Sequence, residues 1–372
     1  MRLQVQADLL KDALSRLLPI VDKRSARPIL GNILLIAKNN QLELSATDLE
    51  ISAKSIVTAS VENEGSFCVN AQNISDILRE LSGISIINLE MDSENNIIRI
   101  FFEDIHFSLI GFSNSEYPQL FFNKNKDSFC ITSANMLDFI SKTSHAISTD
   151  ETRLFLNGLY LQQMDCKLRV VATDGYRLSL VDYEFEKENI DYLNNGIIIP
   201  KKGVTELKRM AEAYPEKEIL LSVDESFIYA SMDNKEFLSV RLIAREYPKY
   251  QTVIPSKVAF TVVVDRNLFL NALRRVRIMS NEKTSGIKVQ LSKNEIQIRA
   301  NHPSLGKAFE RMPVDYNGNE MELGLNAKFL IDILLTMDEG DILLELNNEF
   351  GPVLVKSYNA PNCLGLIMPL KI

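Results

Sequence analysis

The sequence predicts an α+β protein of three similar domains, each with two helices packed on antiparallel sheets. Three observations carry this. Short motifs recur at about a third of the chain length. Each copy runs from a strand into an amphipathic helix. The stretches between helices alternate apolar and polar residues with period two.

The repeat comes first. EYP stands at Glu116-Tyr117-Pro118 and at Glu246-Tyr247-Pro248, an offset of 130. ATD stands at Ala46-Thr47-Asp48 and at Ala172-Thr173-Asp174, an offset of 126. Both follow alternating patterns, QLELSATDLEIS and KLRVVATDGYRLSL. A weaker third copy, EIQIRANHPSLGKAF, brings Ala300 a further 128 on and puts Asn301 in the slot of the two aspartates. GSFCVNAQNISDILREL, GIIIPKKGVTELKRMA and MELGLNAKFLIDILLTM also align, each a short strand leading into a helix.

Taken in order, a strand precedes a helix over 7–18 with Leu10, Leu14 and Leu17 on one stripe. A second opening helix is expected over 133–146, and a third over 265–279 with Leu268, Ala272, Val276 and Met279 buried. The helix after Pro200 turns Val204, Leu207, Ala211 and Tyr214 to one side. NIIRIFFEDIHFSLIGF reads as antiparallel strands. Polar residues and Pro interrupt the pattern at NKNKDS (123–128) and PSKVAF (255–260), which gives domains 1–125, 126–256 and 257–372. Three whole-domain copies suggest an arc or a ring, closed by a second chain.

Composition narrows the classes. The chain has 372 residues, 46% hydrophobic and 24% charged, an ordinary globular balance. No apolar run reaches the ~20 residues that span a bilayer, and MRLQVQADLLKDAL lacks a signal-peptide core. Cys68, Cys130, Cys166 and Cys363 form no CxxC pair, which fits a reduced cytoplasmic protein without a zinc site. A net charge of −8 argues against nucleic acid when taken alone, though a local basic surface would be hidden in that sum. Asp48 or Asp174 could be a catalytic carboxylate on a turn. Yet His106, His145 and His302 are scattered, and there is no P-loop, GxSxG or HExxH. Equivalent positions in a repeat point instead to a structural corner whose carboxylate accepts from turn amides, so no catalysis is expected.

PILGNILL near residue 30, ATDGYRL, IPKKGVTEL, SNEK at 280–283 and the closing MPLKI together resemble the bacterial DNA polymerase III beta subunits, the sliding clamps, over the full chain. The resemblance implies a head-to-tail homodimer, a ring of six similar domains around duplex DNA without sequence specificity, with helices inside and sheets outside (the DNA clamp fold). It implies a non-catalytic processivity factor with no cofactor and no metal, cytoplasmic and nucleoid-associated, with no membrane. Implied partners are the DNA polymerase III catalytic subunit, the clamp-loader complex, and other polymerases and repair proteins that dock short linear peptides. A peptide-binding scaffold that never encircles DNA is the alternative.

The residues offer matching surfaces. Opposite the apolar stripes stand Lys11 and Arg16, then Lys23, Arg24 and Arg27, and later Arg274, Arg275 and Arg277, with Asp12, Asp138 and Asp332 interspersed. Such a mildly basic face holds phosphates without reading bases, and a solvated helix face would look the same. The resemblance implies DNA contacts at Arg24, Arg79, Arg153, Lys201 and Lys202, beside Lys208 and Arg209; Leu154 and Phe155 follow the Arg where relatives often carry other aromatic residues. It implies a peptide cleft of Leu156, Thr173, Gly175, Tyr176, Arg177, Leu178, Pro248, Val253, Phe350, Pro352, Leu366, Met368, Pro369 and Leu370. Arg177 would lay its stem along the slot with its charge in water, Met368 and Leu370 would be adaptable walls, and Pro369 would mark an edge. Thr252 and Thr284 stand where relatives often carry a basic and a bulky apolar residue, which implies a more open cleft with a shifted peptide preference. Ring closure would set Phe107 and Leu109 against Ile278 and Met279 of a second copy, although intradomain packing would also account for them.

Overall fold

A computed structural model describes residues 1–371 apart from 82, 84, 93, 123–127, 186–189 and 361. The linker expected at 123–128 therefore lies, but for Ser128, outside the described residues.

The helices are α1 (Ala7–Leu17), α2 (Ala71–Glu80), α3 (Ser133–Thr143), the short α4 (Asp191–Asn194), α5 (Lys201–Ala213), α6 (Arg266–Arg277) and α7 (Ala327–Thr336). Apart from α4, each starts where a strand ends. Four begin on a side-chain cap at that junction, and at α3 Thr132 Oγ1 accepts from Asn135 N at 3.1 Å. Asn70 accepts from Asn73 N at 3.0 Å, Asp265 from Leu268 N at 2.7 Å and Asn326 from Phe329 N at 3.1 Å. These caps satisfy amides that no helical carbonyl reaches.

Packing divides the chain into two units, Met1–Met136 with Thr205–Leu242, and Leu137–Val204 with Ile243–Ile372. The first holds a 12-stranded antiparallel sheet. Its hub is the strand Ile51–Asn63, which pairs with Gln41–Thr47 and Arg2–Gln6 and also with Glu236–Arg241 from the second repeat. α1 buries Ala7, Leu10, Ala13, Leu14 and Leu17, and α2 buries Ala71, Ile74 and Leu78. Arg16 was expected to face outward with the helix cations. It is instead half-buried, its Nη2 donating to Glu236 Oε1 at 2.8 Å, because the carboxylate on the neighbouring strand offers a partner there.

The second unit holds an 8-stranded and a 4-stranded sheet. In the former, Arg177–Glu184 pairs with Lys167–Thr173 on one side and with the C-terminal strand Cys363–Ile367 on the other. The latter runs Gly306–Pro313, Glu295–His302, Gly286–Ser292, Met321–Asn326. α6 buries Phe269, Leu270, Ala272, Leu273 and Val276. The expected stripe was one residue out at its start: Leu268 is 57% exposed, because the cap at Asp265 sets the helix phase and turns Phe269 inward.

Candidate peptide cleft and nucleic-acid interface

The ATDGYRL corner sits between the strands Lys167–Thr173 and Arg177–Glu184. Asp174 Oδ1 accepts from Tyr176 N at 2.9 Å and Arg177 N at 3.0 Å, and Thr173 Oγ1 donates to Arg177 O at 2.6 Å. The first corner is built alike. Asp48 Oδ1 accepts from Glu50 N and Ile51 N, and Thr47 Oγ1 donates to Ile51 O. In the third copy His302 Nδ1 accepts from Ser304 N and Leu305 N, both at 3.2 Å. The aspartate slot there belongs to His302 and not to the expected Asn301, because only a side chain at that offset reaches both turn amides. Asp224 holds its turn in the same way, accepting from Ser226 N and Phe227 N. These side chains hold chain, which is the structural reading of the motif.

Arg177 departs from expectation. It is 8% exposed. Its Nε lies 3.0 Å from Asp174 Oδ2 and its Nη1 2.7 Å from Asp332 Oδ2, while the guanidinium stands over the Phe329 ring at 4.2 Å. Two carboxylates and an aromatic face hold it inside, so it ties the corner to α7 and does not keep its charge in water. Below it His145 Nε2 lies 2.9 Å from Ser179 Oγ. Burial, then the Arg177 charge, pushes the His145 pKa down to about 4.

Of the cleft residues, Leu156, Leu178 and Leu366 join one buried cluster with Tyr160, Tyr247 and Tyr250. Tyr160 and Tyr247 stack at 4.5 Å, and Tyr250 meets both rings edge-on. This aromatic floor was not foreseen, although the repeated EYP was its signal: Tyr247 is buried, as is Tyr117, whose hydroxyl reaches Ser45 O at 3.2 Å. Above the floor Gly175, Tyr176, Pro248, Val253 and Met368 are exposed, and Thr173, Pro352, Pro369 and Leu370 half-buried. The C-terminal strand stops at Ile367. The tail beyond it is held by Met368 N on Tyr176 O at 2.9 Å and Leu370 N on Gly324 O at 2.8 Å. Corner and tail thus border one apolar rim.

At the end of that rim Phe350, 79% exposed, stands on a turn in which Asn348 Oδ1 accepts from Phe350 N and Gly351 N. With Pro369 and Leu370 it lines a cavity of about 730 Å³ shared with Lys288, Glu322, Gly324, Glu349 and Lys371. Pro248 borders a separate cavity of about 200 Å³ beside Tyr160, Tyr247 and Tyr250. Thr252 and Thr284 serve local turns, Thr252 donating to Lys249 O and Thr284 Oγ1 accepting from Gly286 N.

Arg153 belongs here too. It was expected among the DNA-facing cations. Its Nε pairs with Asp150 at 2.8 Å, and its Nη1 lies 2.8 Å from where a Cβ on Gly175 would stand. Gly175 has φ +89°, so glycine serves twice, for the backbone and for the guanidinium laid over it. Asp150 is pushed down to about 2, chiefly by hydrogen bonds from Thr152 and then Arg153.

The remaining cations are exposed. Arg79 lies 3.2 Å from Asp76, Lys208 3.6 Å from Glu212 and Arg209 2.7 Å from Glu206. Arg24, Lys201 and Lys202 are exposed with them. Phe107 and Leu109 are half-buried on the strand Ile105–Phe112, Met279 is half-buried, and Ile278 is 68% exposed at the end of α6.

Repeated strand–helix units, cation-bearing helices and an apolar slot over an aromatic floor are the architecture of a clamp-type tethering protein. Residues 1–121, 130–249 and 251–371 match, in turn, the N-terminal, central and C-terminal domains of the DNA polymerase III beta subunit. The chain is 30% identical over 350 residues to the beta sliding clamp of Vibrio cholerae, covering 94% of each, and 28% identical over the whole of each chain to that of Pseudomonas putida. The fold matches the crystal structure of the Pseudomonas aeruginosa DNA polymerase sliding clamp with a TM-score of 0.94, 27% identity and complete coverage of both chains. The Bartonella birtlesii clamp bound to griselimycin matches with a TM-score of 0.94 and 29% identity, again over both whole chains. The chain belongs to the DNA polymerase III beta subunit family, and its function is that of a DNA sliding clamp in replication.

Proposed function

We propose that two copies of this chain close head to tail into a six-domain ring around duplex DNA and tether partners there without catalysing a reaction. The three stretches matched above support domains near 1–125, 126–256 and 257–372. The observation that carries the ring is a pair of sheet edges. Ile105–Phe112 pairs fully with Ile97–Phe102 but on its other flank reaches only Cys68 and Val69, through Phe112 and Gly111. Gly306–Pro313 is the last strand of the four-stranded sheet. Both edges have the same alternating exposure, and Ile278 is a large apolar side chain left bare. Exposed edges invite pairing, and two different edges on one chain give a heterologous contact that closes when the rotation allows. Phe107 and Leu109 would then meet Ile278 and Met279.

Arg24, Arg79, Lys201, Lys202, Lys208 and Arg209 would line the hole and bind phosphates without base recognition. Leu156, Thr173, Gly175, Tyr176, Leu178, Pro248, Val253, Phe350, Pro352, Leu366, Met368, Pro369 and Leu370, with Arg153 added, would form the slot for partner peptides, and Arg177 would brace it. The polymerase III catalytic subunit, the clamp loader, and other polymerases and repair proteins would use that slot. The chain would work in the cytoplasm at the nucleoid, and no helix of the described residues is long and apolar enough to cross a membrane.

The test is retention. Loaded onto nicked circular DNA, the protein should stay through gel filtration and run off once the circle is cut. A lone subunit at every practical concentration, or equal loss from circles and linear fragments, would overturn the ring and leave a peptide-binding scaffold.

A further inference from the structure

The cavity beneath Phe350 does not end at the slot. Three of its lining residues, Lys288, Glu322 and Gly324, belong to the four-stranded sheet. Strand register carries the surface onward. Gly324 faces Lys288, Lys288 faces Arg299, and Arg299 faces Phe309. These residues alternate with buried Val289, Ile298 and Leu323, so the row lies on the sheet's solvent side. At ~4.8 Å per strand the row runs roughly 14 Å from slot to Phe309, about the reach of four extended residues. Leu370 N, bonded to Gly324 O, joins the slot's tail to its first member.

The row is basic on a chain of net charge −8. Arg299 Nη2 donates to Gln290 at 2.8 Å and Gln297 at 2.6 Å and makes no ion pair in the described residues. Lys307 and Arg311 flank it. The carboxylates on this face are Glu322, 2.7 Å from Lys288, and Glu295, 3.9 Å from Arg311, with Glu349 on the cavity wall at the slot end. Phe309, 51% exposed, stands between Arg299 at 5.7 Å and Arg311 at 5.5 Å. With Nη2 on the two glutamines, Arg299 still has Nε and Nη1 to offer a carboxylate.

We propose that this row extends the peptide slot and reads an acidic stretch next to a partner's apolar anchor. The proposal rests on the slot reading above. The anchor fills the apolar rim, and Asp or Glu side chains on the adjoining residues pair with Lys288 and Arg299, reaching Arg311 when the stretch is long enough. Complementary charge of this kind speeds encounter and selects among partners more than it adds raw affinity.

The test uses the full chain and synthetic fluorescent peptides. One carries an apolar Leu-Phe anchor alone. Others extend it, at either end, by a short Asp/Glu stretch or by a Lys stretch. An oligothymidine strand is the nucleic-acid control. At low salt the acidic extension should tighten binding roughly three- to ten-fold at one end of the anchor. The gain should fade with added salt and vanish in Lys288→Glu/Arg299→Glu. It should shrink in the milder Arg299→Gln, which should keep the anchor-alone affinity, and in the double variant the gain is read against that variant's own anchor-alone affinity. An anchor that binds with no gain from the acidic stretch overturns the extension while leaving the slot intact, as does a gain that survives both variants. Oligothymidine binding lost in the variants, without any acidic gain, would make the row a nucleic-acid surface and overturn the proposal. Failure of the anchor alone to bind would remove the slot reading, and the extension with it.

Discussion

At the scale of single residues, the corners separate structure from chemistry. Asp174 looks like a catalytic carboxylate in isolation, but its oxygens are committed to Tyr176 N, Arg177 N and the Arg177 guanidinium. Asp174→Ala would leave turn amides unpaired and Arg177 with one carboxylate fewer. Unfolding in denaturant should show a loss of about 2–4 kcal/mol. His145 gives a prediction with a sign. Its pKa falls from 6.5 to about 4 on folding, through burial and then Arg177, partly offset by Asp332 and Asp174. Between those values the unfolded chain binds a proton that the folded chain refuses, so stability drops as pH falls from 6.5 towards 4. The contribution is on the order of 1–3 kcal/mol. His145→Phe should flatten this part of the profile, read as the difference in denaturation midpoint between variant and parent at pH 7.5 and pH 5. An unchanged slope would mean that His145 takes up its proton alike in the folded and the unfolded chain.

At the scale of elements, the strand Cys363–Ile367 and α7 carry the proposed slot together. A Cβ on Gly365 would stand 2.5 Å from Ile333 Cγ2, so only glycine lets that strand close on the helix. Gly365→Ala should cost about 1–3 kcal/mol through overpacking. It should also loosen peptide affinity, because α7 bears the Asp332 and Phe329 that grip Arg177. Calorimetry and peptide titration on one sample would report both, and a peptide affinity that held while stability fell would uncouple the helix from the slot. The same elements show what a sequence can disclose. Six strand-to-helix passages were legible, because helix period and capping residues are local. The phase of α6 was not, since Leu268 and Phe269 are equally apolar and a cap three residues away decides between them. Nor was the inward turn of Arg16 and Arg177. Each depends on a carboxylate distant in sequence, Glu236 or Asp332, and spacing along the chain says nothing about which strand or helix will lie alongside. The approach of Arg153 to Gly175 was hidden for the same reason, since the two meet only through folding.

At the scale of the whole molecule, the distinction that matters is between grip by charge and grip by enclosure. The cations assigned to the lining are partly neutralised at Asp76, Glu206 and Glu212, and the chain as a whole is acidic. Binding to DNA ends by such a surface should be weak, with log affinity falling by roughly 0.9 per phosphate contact for each unit of log salt. A closed ring obeys a different rule, because leaving an uninterrupted circle requires breaking an interface, and salt acts on it only through that interface. Retention on nicked circles should therefore persist at salt concentrations that abolish binding to short linear duplexes. Ile278→Asp should abolish it at low salt too, by placing a charge where the bare apolar side chain of one copy is to be covered by Phe107 and Leu109 of the next. Light scattering on that variant should show single subunits. Lys201→Ala/Lys202→Ala should do the reverse: dimers intact, retention kept, and a shallower salt slope for linear DNA. If the lysine variant lost the circles while the Ile278 variant kept them, attraction and not topology would be holding the DNA.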